Sequence, residues 1–432
     1  MKNKDEGAES RRPEAKRTED VEKEKSRSSA RIFSALRSMI GLDFVSFRGK
    51  SVLITGGSRG LGLILARKLA DEGAKVAILA RDEAELARAK DDIRRRGADV
   101  LTIRADVREP AEVKAAVKRA AEEHGPIEVL INNAGIITVG PMEEMTREDF
   151  ADAMRTHFHG PLEATLAVLP EMRKARSGRI VNISSIGGEI APPHMLPYVA
   201  SKFALTGLSQ GLRAELMKDG IIVTTVCPGL LRTGSAYNVT FKGRNRAEAD
   251  WFFLADSLPP LAMSADRAAR IILRNVRLGR GTVTLTIAAK IAAKVQGAIP
   301  SLFADSMGLV NRLMPSPGGI GTRGAKGKDS LTRLTSSSLT ILTQRAARQN
   351  NELPPEKERT GTAQQGKQGS SEKSEQGKPS EKERPEQGRA GSEKSEHGRS
   401  ESKKGESGKQ ESGKSESGKR ESGKSDSGKS RG

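Results

Sequence analysis

Between about residue 45 and residue 315 the apolar positions follow two rhythms. Short apolar runs at Ser51–Thr55, Lys75–Ala80, Val100–Arg104 and Glu128–Asn132 read as buried strands. The stretches between them place apolar residues three and four apart. The first carries Leu61, Ile64, Leu65 and Leu69, and 82–96 carries Leu86, Ala89 and Ile93, with Lys90 on the same side. Another covers 109–123. Further on, Tyr198–Met217 has Leu205, Leu208, Leu212 and Leu216 on one stripe, and Ser264 stands as an N-cap before ADRAARIILRNV. Strand and helix in alternation predict an α/β fold, a doubly wound parallel sheet with helices on both faces. Its ligands lie outside the carboxyl ends of the strands.

The two ends of the chain are different material. Residues 1–29 are almost wholly charged or small, and from Pro354 to Gly432 there is no Val, Ile, Leu, Phe, Tyr or Trp. Large apolar residues already thin out after about Pro315. Such segments bury too little surface to offset chain entropy, so 1–29 and 316–432 are expected to be disordered. A core of roughly 270 residues remains, enough for one sizeable domain. Within it the expected pieces are a short amphipathic helix at 30–44, the domain proper at 45–298 and an amphipathic extension at 299–315. The 30–44 helix (Ile32, Phe33, Leu36, Met39, Ile40) suits packing on the core or on a partner, and Arg31 and Arg37 leave a membrane surface open.

Cys227 is the single cysteine, which rules out an intramolecular disulfide. With no apolar run long enough to span a bilayer and no signal-peptide core, the expected location is the cytoplasm. The net charge of +19 suits anionic partners, a phosphate-bearing cofactor included. The tail from about Lys367 repeats Glu-Ser-Gly-Lys units. From Pro354 onward 19 Lys and Arg face 15 Asp and Glu, with no aromatic residue to stack on bases. A solvated polyampholyte is the expectation there, and no specific nucleic-acid partner.

The stretch SVLITGGSRGLGLILARKL carries the first chemistry. A strand breaks into Gly56, Gly60 and Gly62, with Ser58, Arg59 and Leu61 between them, and a helix follows. Glycine lets the backbone approach a pyrophosphate, and the helix start offers unpaired N–H groups. Beyond it come Asp106-Val107, Asn132-Asn133-Ala134-Gly135, Ser185, Tyr198-x-x-x-Lys202 and Pro228-Gly229 with Thr233. In this order and spacing, over about 47–287, the chain resembles the short-chain dehydrogenases/reductases. The resemblance implies one Rossmann-type domain of about seven strands, the further ones at Arg179–Ser184, Ile221–Val226 and Thr282–Ile287. It also implies a nicotinamide-dependent oxidoreductase, dimeric or tetrameric, acting on a small-molecule carbonyl/alcohol pair. The cofactor would lie along the glycine turn, Arg81, Asp106, Val107, Asn133, Ala134, Gly135, Tyr198, Lys202, Pro228, Gly229 and Thr233. A non-catalytic NADP(H) sensor or scaffold on the same fold is the competing reading.

Tyr198 and Lys202, four apart, share one face of a helix. A lysine ammonium beside a phenol favours phenolate and brings a group of pKa near 10 toward working pH. The resemblance gives Tyr198 the role of general acid/base, Lys202 the ribose hydroxyls, and Ser185 the substrate oxygen. Where the family carries an asparagine, three residues before a glycine, this chain has His157. Either it holds the same water as a member of the catalytic set, or it is a packed, hydrogen-bonded histidine. Ala80 stands where an NAD enzyme places a carboxylate, and Arg59 and Arg81 flank the site, which favours NADP(H) over NAD(H). Asp82 could neutralise Arg81. Ile136, Ile137, Ile190, His194, Met195 and Leu230 are the expected pocket residues, with Trp251, Phe252 and Phe253 in a lid over 234–263. No metal site is expected.

Overall fold

The structure, a computed structural model, describes residues 45–259 and 261–353. The charged N-terminal stretch, the helix expected at 30–44 and the repeat tail from Pro354 lie outside the described residues.

Seven parallel strands form the main sheet: β1 (Ser51–Thr55), β2 (Lys75–Ala80), β3 (Leu101–Arg104), β4 (Val129–Asn132), β5 (Gly178–Ile183), β6 (Ile221–Cys227) and β7 (Thr282–Thr284). Their spatial order is β7-β6-β5-β4-β1-β2-β3. The order reverses at β1, where Ile54 lies between Ile78 of β2 and Ile131 of β4. Side chains alternate across the sheet with period two. Val52, Ile54, Val76, Ile78, Val129 and Ile131 pack on one face, against α1 (Gly60–Asp71), α2 (Glu83–Arg94) and, later in the chain, the helix Ala265–Arg277. Leu53, Ala77, Leu79, Leu130 and Ile180 pack on the other, against α3 (Pro110–His124) and the helix Gly160–Ala175. Both faces are covered, which is why the central strands β1, β2 and β4 read as apolar runs.

The middle of the chain supplies α4 (Arg147–Met154), a π-helical turn at Arg155–His159, α5 (Gly160–Ala175) and the long α6 (Leu196–Leu216). The π turn inserts one extra residue per turn and rotates His157 into the interior. The lid segment is more regular than its sequence pattern: a 3₁₀ turn at Ser235–Asn238 is followed by α7 (Asn245–Ser257), and α8 (Ala265–Arg277) follows the lid. Phe241, Phe252, Phe253 and Tyr237 make a third, separate apolar cluster. After β7 come α9 (Ile287–Ala298) and α10 (Pro300–Asn311), broken at Ile299-Pro300, with Gly297 inside the first helix. Their apolar stripes do not cover the domain, since Ile287, Ile291, Leu302 and Leu309 are all exposed.

The largest departure from the sequence reading is at residues 316–353, expected to be disordered. They form an ordered strap. Ala325–Lys326 pairs antiparallel with Thr240–Phe241 of the lid, and α11 (Ile341–Gln349) packs on α7. The strap is held by polar and small residues where large apolar ones were looked for. Thr343 and Ala347 are fully buried, whereas Ile341 and Leu342 face outward. Among the described residues no helix is long and apolar enough to cross a membrane.

Candidate active site

At the carboxyl edge of β1 the chain turns through Gly56 with φ at +65° and starts α1 at Gly60. A Cβ on Gly62 would stand 2.1 Å from the Gly56 carbonyl oxygen, so only glycine lets the helix begin this close to the strand. The turn is braced from β4. Asn133 Nδ2 donates to the carbonyls of Thr55 (3.1 Å) and Gly56 (2.9 Å), and Thr55 Oγ1 accepts from the N–H groups of Asn133 and Ala134. One cavity of about 920 Å³ runs from this turn to the first turns of α6. Of the expected cofactor residues, all but Gly62 line it. Of the expected pocket residues, Ile136, Ile137, Ile190, Met195 and Leu230 line it, with Trp251 and Phe252 from the lid. His194 is instead a lid fastener: its Nδ1 lies 2.7 Å from the buried carboxylate of Glu248, which also accepts from Trp251 Nε1.

Ser185, Tyr198 and Lys202 come together on one wall of the cavity. Burial pushes the Tyr198 phenol up to about 12, against a hydrogen bond from Ser185 that works the other way. Burial likewise brings the Lys202 ammonium down to about 7, and its Nζ donates to the Ile183 carbonyl at 2.9 Å. Nζ stands 5.7 Å from the centre of the Tyr198 ring. Desolvation of both groups therefore outweighs the ammonium–phenol attraction that the sequence suggested. Behind them runs a buried polar ladder: Asn132 Nδ2 donates to Asn182 Oδ1, Asn182 Nδ2 to Ser209 Oγ, and Thr225 Oγ1 to the same Ser209.

His157 has both ring nitrogens engaged. Nε2 accepts from the Ile136 N–H at 3.1 Å, and Nδ1 lies 2.7 Å from Ser201 Oγ, which itself donates to the Tyr198 carbonyl. This assigns the proton to Nδ1. Burial, with the Lys202 charge adding to it, holds the ring neutral well below 6.5. The two readings left open for this residue thus meet a geometry in which it ties the β4 turn to α6, its ring edge-on to Tyr198 with centres 5.5 Å apart.

At the adenosine end, Arg59 and Arg81 are joined by a third cation that the sequence did not suggest, Lys326 from the strap. Burial lowers its pKa first, and Arg59 and Arg81 add to the effect. Asp82 does not neutralise Arg81: its carboxylate caps α2 by accepting from the Glu85 N–H at 2.8 Å. Carboxylates do reach the cations from elsewhere. Glu85 binds Arg59 at 2.7 Å, and Asp106 lies 3.7 Å from Arg81. The glycine turn, the N-terminus of α1 and the three cations fit a nicotinamide dinucleotide. Among the described residues no cluster of His, Cys, Asp and Glu could hold a metal ion.

The short chain dehydrogenase family pattern matches residues 50–242. Oxidoreductase UcpA of Salmonella typhimurium is 40% identical over 192 residues, covering 44% of this chain and 73% of that protein. A putative ketoacyl reductase of the granaticin polyketide synthase of Streptomyces violaceoruber is 33% identical over 263 residues, 60% of this chain and 92% of that protein. Two solved structures are similar. A variant actinorhodin polyketide ketoreductase with NADPH shows 29% identity and a TM-score of 0.50, over 55% of this chain and 95% of that one. A short chain dehydrogenase/reductase from Burkholderia phymatum in complex with NAD shows 27% identity and a TM-score of 0.55, over 60% and 96%. The chain belongs to the short-chain dehydrogenase/reductase family and is an oxidoreductase.

Proposed function

We propose that the protein uses NADP(H) to interconvert a carbonyl and an alcohol on an apolar small molecule, with Tyr198 as the general acid/base. The observation that carries this reading is the convergence of Ser185, Tyr198 and Lys202 on one wall of the cavity whose other end is the glycine turn. A bound nicotinamide would supply the hydride. Ser185 Oγ would donate to the carbonyl oxygen and hold it against the phenol. Tyr198 Oη would then give its proton to that oxygen as the carbonyl becomes an alcohol. Burial holds the phenol at about 12, so it carries a proton to give at neutral pH. Lys202 would bind the ribose hydroxyls. His157 and Ser201 act as positioning residues that fix the backbone under Tyr198. The apolar lining favours a substrate with a hydrocarbon body, and the relatives named as ketoacyl reductases and ketoreductase support a keto group. Arg59, Arg81 and Lys326, with Ala80 in place of a carboxylate, support a 2′-phosphate.

The test is kcat/KM with NADPH and NADH against a panel of apolar ketones and β-keto thioesters, for wild type and Y198F. Turnover should be found with at least one ketone, prefer NADPH by about tenfold or more, and fall in Y198F by about two orders of magnitude or more with dinucleotide binding kept. Near-normal turnover in Y198F would sink the assignment.

A further inference from the structure

The strap ends inside the cofactor cleft. After α11 the chain turns at Asn351, whose φ of +57° is a left-handed conformation that asparagine tolerates. The turn is fastened on both sides. Asn351 Nδ2 donates to the carbonyls of Ser58 (2.9 Å) and Glu85 (3.0 Å), and Arg88 Nε donates to Asn351 Oδ1 (2.8 Å). Arg67 Nη2 reaches the Gln349 carbonyl at 2.9 Å, and Asn350 Nδ2 the Thr233 carbonyl at 3.1 Å. Two acceptors then meet the glycine turn itself. The Asn350 carbonyl takes the Gly60 N–H at 2.9 Å. The Glu352 side chain, only 4% exposed, lies 3.4 Å from Arg59 Nε and accepts from Asn238 Nδ2 at 2.7 Å. Its Oε1 stands 2.5 Å from where a Cβ on Gly60 would be. Glu352 therefore lies against the glycine that a pyrophosphate would approach, and it lines the same cavity as Gly56, Leu61 and Tyr198.

The domain is shaped to receive this segment. Gly234, at φ +89°, has its missing Cβ 2.2 Å from Ala347 Cα, so any side chain there would drive α11 away. The strap is shaped in turn: its Gly327 passes the Ala236 carbonyl with 2.0 Å to an added Cβ. A dinucleotide pyrophosphate is an anion seeking helix N–H groups and a guanidinium. A carbonyl and a carboxylate already hold one of each.

We propose that residues 349–352 are an intramolecular competitor of the dinucleotide, Asn350 and Glu352 occupying the Gly60 N–H and Arg59 that the cofactor's phosphates need. Cofactor binding and seating of the strap's end then exclude one another, and free enzyme is held in a closed form. Burial raises the Glu352 carboxyl to about 7, with Arg59 and Asn238 acting in the opposite direction. Its ionised form is thus held at a cost, as suits a contact that must be released. The inference rests on the reading of the glycine turn as the dinucleotide site.

Two measurements test it. The first is the NADPH dissociation constant by calorimetry for wild type, E352Q, and a chain ending after Arg348. Both variants should bind about tenfold tighter or better, the worth of a charged hydrogen bond. The second is hydrogen exchange of amides 341–353 in wild type, which should be slow without dinucleotide and accelerate when NADPH is added. Equal binding by both variants would show that the strap's end does not compete, and weaker binding by both, or greater protection of 349–352 with NADPH, would show a clamp over the cofactor; each result overturns the proposal. Failure of all three proteins to bind either dinucleotide would overturn the cofactor site and this inference with it. A strap that fails while all three bind NADPH leaves the proposed function standing alone.

Discussion

Lys202 should destabilise the protein that needs it. The side chain is 4% exposed, and burial lowers its pKa from 10.5 to about 7. At about 1.4 kcal/mol per pH unit, that difference sets a ceiling of about 5 kcal/mol on the cost of keeping the charged form in the fold at neutral pH. Replacement by methionine keeps an unbranched apolar stem and removes the charge. It also leaves the Ile183 carbonyl without the donor now 2.9 Å away, worth roughly 1–3 kcal/mol. K202M should therefore be more stable than wild type by about 2–4 kcal/mol at pH 7, and inactive. The pH dependence carries the sharper check. Between about pH 7 and 10.5 the unfolded lysine binds a proton and the folded one does not, so this group makes wild-type stability rise with pH across that window. The advantage of K202M should shrink over the same range, cross zero between about pH 8.4 and 9.8, and reverse above pH 10.5, where both states hold a neutral lysine and only the roughly 1–3 kcal/mol of the lost hydrogen bond remains. Urea unfolding of both proteins at pH 7, 8, 9 and 10 measures it, and taking the difference cancels the other lysines. A difference that stays flat with pH, or a K202M less stable than wild type at pH 7, refutes the reasoning.

Four further outcomes follow from other contacts. A chain ending after Pro315 should lose at least about 2 kcal/mol, or roughly 4–8 °C in Tm by calorimetry, because Ala347 and the hydrogen bonds Ser257–Thr343 and Asn350–Thr233 leave with the strap. S201A, which removes the hydroxyl between His157 and the Tyr198 carbonyl, should lower kcat more than it changes KM and shift the pH–rate profile. Because His157 is held neutral below its ordinary 6.5, stability present above pH 6.5 should be lost as pH falls below it, and H157N should flatten that acid limb in denaturant titrations. Ala80→Asp with Arg81→Ala should erase the preference for NADPH in kcat/KM; unchanged preference would move the specificity onto Arg59 and Lys326.

The sheet and the Ser185, Tyr198 and Lys202 wall were legible because their signals are local. Both faces of the sheet are covered, so β1, β2 and β4 read as apolar runs, β5 followed only from the family resemblance, and the i, i+4 spacing puts Tyr198 and Lys202 on one helix face. The strap was not legible, for a physical reason. Its buried side is Thr343, Ala346 and Ala347 while Ile341 and Leu342 face outward, so apolar periodicity points the wrong way. Its hold on the domain comes from asparagine amides and backbone carbonyls, and no pattern in 341–353 says that their partners are Ser58, Glu85 and Thr233. Lys326 was missed on the same account, since only the pairing with Thr240–Phe241 carries it to Arg59 and Arg81. At His157 the sequence showed the substitution, but only the π turn revealed which way the ring faces.

The strap also orders events in time. The hydrogen bonds from Asn351 to Glu85 and Ser58 close loops of 266 and 293 positions. Every residue of the sheet leaves the ribosome before Ile341 does. At translation rates of about 5–20 residues per second, the roughly 70 residues from the last sheet strand to Glu352 take several seconds to appear. The nascent domain thus passes through a stage in which the glycine cradle can fold while its own occupant has yet to be made. A dinucleotide meeting the chain during synthesis finds no competitor there, and one arriving later does.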